Sequence, residues 1–588
     1  MQTITNKGNG VNTGDRSEKS VSRVLLEQLH SIGIKYAFIN SGTDYAPIIE
    51  SLAEMSLENI PMTEVILVPH EGPAVAMAIG YYMIAHTPAA VMVHTTPGTA
   101  NSLNNILNAQ SMNIPLMLFA GRTPVTEKAV FGSKEIPVHW NQEMRDQGAI
   151  LRQFTKWDWE HRFGEQVGEE LARAYEVAMS DPKGPVYMTL PRERISEKAP
   201  PATPARRPSP AEPVVPSNAT IQKVAQLIAD AKKPLIITSQ LGRNLGAPEE
   251  LLKLSESMAI PVAQNFYYMN FPTTSQMFVG PIGGKLFNEH LKSADLLLVL
   301  DVDVPWFPNS VEPDPDATVV HLDVDPMKER MPTWGFRADI RIRADAQIAL
   351  GMLYSEVTGK MGKSSETRKT VEARRSTVSR EHDAMLGSYM KEAKDHKDDT
   401  PIDPRWLSYC IGTILDDRKI VFTETVRSPF YEYAPVSSFG RTFSTPPFGG
   451  LGWSMGAALG AKLASPDSDV LVLLGDGSYM YNEPVASHFV SRASKLPILT
   501  VIYNNQAWMA SRGPVAKMYP EGKAVKTHNF PGTVLSPSPA FEHVAQSCGA
   551  YTKRVENPDE IMSALKDSLD HMHENENQAL LNVILKHP

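Results

Sequence analysis

The sequence predicts an α/β protein made of three doubly wound parallel-sheet domains. Three observations carry that prediction. Short apolar runs alternate with helix-period segments over most of the chain. Two stretches of biased composition, one rich in proline and one rich in charge, cut the chain into three blocks. Each block then repeats the same strand, break and helix alternation, which is how a parallel sheet covered by helices on both faces reads. At 588 residues the chain also exceeds what one core holds, since a single core stops growing near ~300 residues.

Composition narrows the function classes. Hydrophobic residues make up 42% and charged residues 21%, which excludes a largely disordered chain. A net charge of −9 argues against a nucleic-acid binder and against an anionic-membrane binder. Two cysteines, Cys410 and Cys548, are too few for a disulfide framework or a cysteine-built zinc site, and they fit a reducing compartment. No run reaches the roughly 18 apolar residues of a membrane span.

Taken in order, residues 1–20 are polar and of mixed charge, without the apolar core of a secretory signal. They are expected to be a disordered tail on a cytoplasmic protein. Residues 21–196 form the first domain, with strands at 36–40, 65–68, 89–94 and 115–121 and helices at 21–32 and 72–85. Residues 197–217, EKAPPATPARRPSPAEPVVPS, are too rich in proline for anything but an extended linker. The middle domain, 218–358, has strands at 234–239, 261–265, 295–303 and 318–325. Residues 359–403 are charged and poor in β-branched apolar residues, as expected of a solvated helix or flexible crossover. The third domain, 404–588, has strands at 420–424, 469–477 and 498–505.

The sharpest motif is Gly475-Asp476-Gly477, followed by Ser478, at the end of one strand, with Asn504-Asn505 at the end of the next. Ligands of open parallel sheets bind beyond the carboxyl ends of the strands. Two such ends bring Asp476 and Asn505 to one hard cation, and an anionic carboxylate with neutral oxygens suits Mg²⁺ or Ca²⁺ together with phosphate oxygens. The ordinary alternative is a strand end with a glycine turn and an asparagine cap. Glu71, in VPHEGPAVAMAIGYY, opens a small-residue helix after a strand, where an acid is also favoured by the helix dipole. The segment GGLGWSMGAALGAK, Gly449 to Lys462, reads as a glycine-rich helix start.

Together these segments resemble the thiamine-diphosphate-dependent enzymes, from about Val21 to the end of the chain, with GPVYMTLPRE (184–193) and ALLNVILKHP (579–588) fitting the same reading. The resemblance implies Asp476, Asn505 and the carbonyl of Ala507 as Mg²⁺ ligands, with Gly475, Gly477 and Ser478 at the diphosphate. It implies Glu71 as the acid that bonds the aminopyrimidine, and Leu451 as the wedge between the cofactor's two rings. The order of blocks is that of the branch holding pyruvate decarboxylase, benzoylformate decarboxylase and acetohydroxyacid synthase. In that branch a homodimer is the smallest active unit and a homotetramer is usual.

Within the branch, His94 lies 23 positions after Glu71, as the catalytic histidine of benzoylformate decarboxylase does; a strand-end histidine bonded to backbone is the ordinary alternative. Asp44 falls where pyruvate decarboxylase has an active-site Asp, or else caps a helix beginning near Tyr45. His139 echoes one member of that enzyme's histidine pair, and Ser511 stands near the place of its glutamate. The middle block lacks a counterpart to the benzoylformate decarboxylase histidine, having Trp306 and Phe307 nearby. It also lacks the Gly-x-Arg-Phe-type run that holds FAD in acetohydroxyacid synthases, which argues against FAD. Phe266 to Phe271, with Trp306, Trp453 and Trp508, are candidates to line a pocket for an aryl or bulky acyl group. The expected activity is a benzoylformate-decarboxylase-like lyase acting on a 2-oxo acid, with aldehydes as products or acyloin-forming carboligation partners. The alternative is an acetolactate synthase-like transferase, and a non-catalytic cofactor-binding relative is a remote third. A dehydrogenase is disfavoured, because no G-x-G-x-x-G follows the first strand of any block.

Overall fold

In the computed structural model, residues 19–199, 207–361, 364–426 and 430–586 are described. The expected tail, 1–20, lies outside them save for its last two residues, and residues 200–206 of the expected linker also lie outside. Among the described residues, eighteen strands form three parallel six-stranded sheets with helices on both faces. The first holds β1 (Tyr36–Asn40), β2 (Glu64–Leu67), β3 (Ala90–Val93), β4 (Met117–Arg122), β5 (Trp157–Glu160) and β6 (Val186–Pro191), in the order β2-β1-β3-β4-β6-β5. The middle sheet holds β7 (Pro234–Thr238), β8 (Val262–Gln264), β9 (Phe278–Pro281), β10 (Leu296–Leu300), β11 (Thr318–Asp323) and β12 (Ile340–Arg343), in the order β12-β11-β10-β7-β8-β9. The third holds β13 (Lys419–Glu424), β14 (Thr442–Ser444), β15 (Asp469–Gly475), β16 (Leu499–Asn504), β17 (Tyr551–Val555) and β18 (Ala579–Ile584), in the order β14-β13-β15-β16-β18-β17.

The first and third sheets share one topology, and they also share a core. One face of the first sheet packs on the helices Val21–Ser31 and Val167–Met179, with Leu25, Phe119 and Leu171 fully or almost fully buried. Its other face meets the helix Glu71–Ala85, which is apolar all round and buried nearly throughout. That helix packs against Ser454–Ala464 of the third domain, so the two sheets enclose a helix pair. The close approach depends on glycine: a Cβ at Gly80 would overlap the carbonyl of Ala457, and one at Gly460 the carbonyl of Met77.

The charged stretch after the middle domain contains a long helix, Ser365–Asp395. It is tied to the middle domain, because Arg374 donates to the carbonyls of Ala231, Met258 and Ala259. The buried ring of His382 also bonds the carbonyl of Phe278. Its polarity therefore serves to cap carbonyls at the edge of the middle domain as well as to face water. Among the described residues, no helix is long and apolar enough to cross a membrane.

Candidate active site

Parallel pairing of β15 with β16 sets Gly475 opposite Tyr503, so the segments following both strands emerge side by side. Asp476 opens the short helix Asp476–Tyr481 and is 2% exposed. Its Oδ1 accepts the Gly477 N–H at 2.8 Å, while its buried Oδ2 has no hydrogen-bond partner among the described residues. Burial pushes this carboxyl above its usual range. The two asparagines divide their tasks. Asn504 is buried and donates to Ser538 and Asn582, a structural role. Asn505 lines the cavity, and its Oδ1 accepts the Ala507 N–H at 3.0 Å, holding the turn that brings Ala507 to the same cavity.

This cavity, about 540 Å³, is bounded by Thr425, Leu451, Asp476, Ser478, Asn505, Ala507 and Trp508, with Ser511 at its edge. The hydroxyls of Thr425 and Ser478 lie 2.8 Å apart within it. An orphaned carboxylate oxygen beside amide and hydroxyl oxygens is a hard donor set, which fits an Mg²⁺ or Ca²⁺ ion binding a diphosphate. Leu451 sits on a loop whose anchor the sequence analysis missed. Glu424, at the end of β13, accepts from the backbone N–H of Gly452 and of Ser454, from the Ser454 hydroxyl and from Asn482. Burial pushes its carboxyl up while these donors hold it down. An acid ending an otherwise apolar strand was the available signal.

From the first domain, Asn104, Asn105 and Asn108 bind the carbonyls of Leu451, Gly452 and Gly450 respectively. Their spacing along NSLNNILN puts them on one side of the helix Thr95–Ser111, a second signal left unread. That helix begins next to His94. His94 Nδ1 faces Asp44 Oδ1 at 2.5 Å, and Nε2 faces Gln142 Oε1 at 3.1 Å. Asp44 caps no helix of its own at Tyr45. It is 2% exposed, and its Oδ2 accepts the Thr95 N–H at 3.4 Å. A Cβ at Gly121 would overlap the Asp44 carboxylate, so glycine makes room for this pair. The Asp44 hydrogen bond raises the pKa of His94 against the opposing effect of burial. His139 is buried and its pKa lowered, with Nδ1 accepting the Glu135 N–H and Nε2 3.4 Å from the Thr43 hydroxyl. Glu71 is 6% exposed and accepts from Asn101 at 3.1 Å.

Two expectations require correction or division. Phe266, Tyr268, Phe271 and Trp453 are buried packing residues; Phe266 stacks on Tyr431 and Trp453 meets Phe422 edge-on. Trp306 is buried against Phe336, so of the proposed pocket aromatics Trp508 alone lines the cavity with Asp476. The sequence-predicted site residues also fall into two groups. Asp44, Glu71 and His94 lie at the first sheet, whereas Gly475, Asp476, Gly477, Ser478 and Asn505 line the cavity of the third, and Glu71 is not among the residues that line it. At the switch point of the middle sheet, between β7 and β10, Arg243 pairs with Asp301, and Lys328 pairs with Asp303 and Asp323. Those cations are committed to carboxylates.

Comparison with known proteins covers the same three domains. Models of thiamine pyrophosphate enzymes match residues 19–150 as the N-terminal TPP binding domain, 221–359 as the central domain and 428–583 as the C-terminal TPP binding domain. The chain is 26% identical over 578 residues to the "Probable acetolactate synthase large subunit" of Methanocaldococcus jannaschii, covering 93% of this chain and 89% of that protein. It is 24% identical to acetolactate synthase 2, chloroplastic, of Nicotiana tabacum, covering 96% and 82%. In fold it is similar to the 4-hydroxybenzoylformate decarboxylase of Rhodococcus jostii RHA1, with a TM-score of 0.76, 22% identity and coverage of 97% and 100%. It is also similar to the benzoylformate decarboxylase of Polynucleobacter necessarius, with a TM-score of 0.77, 19% identity and coverage of 97% and 99%. With one match to each of its three sheets, in the same order along the sequence, the chain belongs to the thiamine pyrophosphate enzyme family, in the branch of decarboxylases and acetolactate synthases.

Proposed function

We propose that the protein carries out the thiamine-diphosphate- and Mg²⁺-dependent, non-oxidative decarboxylation of a 2-oxo acid, with acyloin-forming carboligation as a second outcome. The observation that carries this reading is the hydrogen-bonded His94–Asp44 pair near Glu71 at the carboxyl edge of the first sheet, with the pKa of His94 raised by Asp44. When bound, the cofactor supplies the carbanion nucleophile and the electron sink for the departing carboxylate. The chain's own residues do the rest. Asp476, Asn505 and the Ala507 carbonyl would hold the metal, and Thr425 and Ser478 would offer hydroxyls to the diphosphate. Leu451 would support the cofactor from a loop held by Glu424 and the three asparagines. Glu71 would be the residue that hydrogen-bonds the aminopyrimidine, and His94 would hold the substrate carboxylate or pass a proton.

In this reading Glu71 and His94 serve the cofactor cavity of a second copy, making a homodimer the active unit and a tetramer its larger form, in the cytoplasm. The separation of the two residue groups within one chain supports it. The second reading, an acetolactate synthase-like transferase, is favoured by the relatives of 23–26% identity. Product NMR with Mg²⁺ and thiamine diphosphate tests both. Benzaldehyde from benzoylformate is the expected result. Acetolactate from pyruvate, with benzoylformate untouched, would replace the decarboxylase reading by the synthase.

A further inference from the structure

Gln142 contacts the ring of His94 from a loop that no sequence motif singled out. His94 Nδ1 faces the Asp44 carboxylate, so that nitrogen carries a proton. The opposite nitrogen faces Gln142 Oε1 at 3.1 Å, and the Thr95 hydroxyl donates to the same oxygen at 3.3 Å. With its oxygen toward the ring, the Gln142 carboxamide accepts from both neighbours. Its backbone is pinned as well, since the Thr96 hydroxyl donates to the Gln142 carbonyl at 2.7 Å. In that orientation each ring nitrogen faces an acceptor, the arrangement that an imidazolium satisfies.

We propose that Gln142 is a positioning residue that holds His94 with protons on both ring nitrogens, so that this side chain meets a substrate carboxylate as a cation. The proposal rests on the reading of His94 as a substrate-facing group. The choice of a carboxamide has a chemical reason. A neutral acceptor selects the Nε2–H without cancelling the charge, whereas a carboxylate there would form a second ion pair and weaken attraction for an anionic substrate. The charged and titratable groups around the ring agree. Asp44 beneath it and Glu71 from the neighbouring helix favour the cation. His139, from the short helix Val138–Asn141, is kept below its usual pKa by burial and by Arg192, with Glu135 working the other way, and so adds no competing charge.

The test compares the full-length protein with Gln142→Met and Gln142→Glu. Diethyl pyrocarbonate acylates only neutral imidazole, and the His94 side chain is 21% exposed, so peptide mass spectrometry can follow its labelling against pH. In the wild type the labelling midpoint lies above the ordinary value of about 6.5. The Met variant lowers it by about one pH unit through loss of the acceptor, and the Glu variant raises it by about as much. The Glu variant also raises KM for the 2-oxo acid more than it lowers kcat. A glutamate side chain is nearly isosteric with the native glutamine, so the Gln142→Glu variant decides the question alone if the Met variant does not fold. Coincident midpoints in the wild type and in the folded variants overturn the proposal. Shifted midpoints in a protein that turns over no 2-oxo acid leave the proposal standing and overturn the functional reading instead.

Discussion

At the scale of the residue, the site depends on pairings that no single position displays. Asp44 and His94 stand 50 positions apart in the chain, yet their side chains share the shortest hydrogen bond of the candidate site. The pair has a pH signature. Asp44 raises the pKa of His94 in the folded state above the unfolded value, so its stabilisation is complete below pH about 6.5 and fades as pH rises through the folded value. Replacing Asp44 by Asn removes it. Denaturant unfolding is expected to separate wild type and Asp44→Asn by about 2 kcal/mol near pH 6, shrinking toward pH 9. A gap that stays constant with pH would mean that the two groups are not coupled. The three residues Asp44, Glu71 and His94 were legible because each stands at a strand end in a recognisable segment. Gln142 was not, because its importance lies in which atom it faces. The choice between Asn504 and Asn505 was legible only by resemblance; the fold gives the physical reason, turning Asn504 into the sheet and Asn505 toward the cavity.

At the scale of the element, the helix Thr95–Ser111 joins the two halves of the site. It begins beside His94, and its asparagine row grips the loop that carries Leu451. Asn108 is the most committed member, since its carboxamide both donates to and accepts from the backbone of Gly450. Asn108→Leu leaves that buried N–H and C=O unpaired. It is expected to cost about 2–4 kcal/mol of stability. Because the loop loosens, thiamine diphosphate affinity measured by tryptophan quenching is expected to fall in parallel. Unchanged affinity at reduced stability would confine the clamp to a folding role. Fully buried strands such as β10 and β15 were readable from their apolar runs. Edge and near-edge pieces were not: β5 is half-exposed and polar, and β14 is three residues long. Their place is set by pairing with a neighbour already in position, which leaves little trace in local composition.

At the scale of the whole molecule, the proposed function has Glu71 of one copy serve the cavity around Asp476 of a second. Co-expression of Glu71→Gln with Asp476→Asn tests this. A shared site leaves one of the two sites in a mixed dimer intact, and random assembly then returns about a quarter of wild-type turnover although each variant alone is inactive. Sites built within a single chain would return none. The sequence by itself determined the three-block α/β architecture, the chain order of the blocks and the candidates for metal binding. Strand burial and cofactor motifs are local patterns, and local patterns survive in a linear text. Only the tertiary structure decided that the first and third sheets close over a common glycine-lined helix pair, that the aromatics near Phe266 are core, and that Glu424 and three asparagines hold the Leu451 loop. Those outcomes depend on which atoms come within hydrogen-bond or van der Waals distance, and segments far apart in the chain supply them.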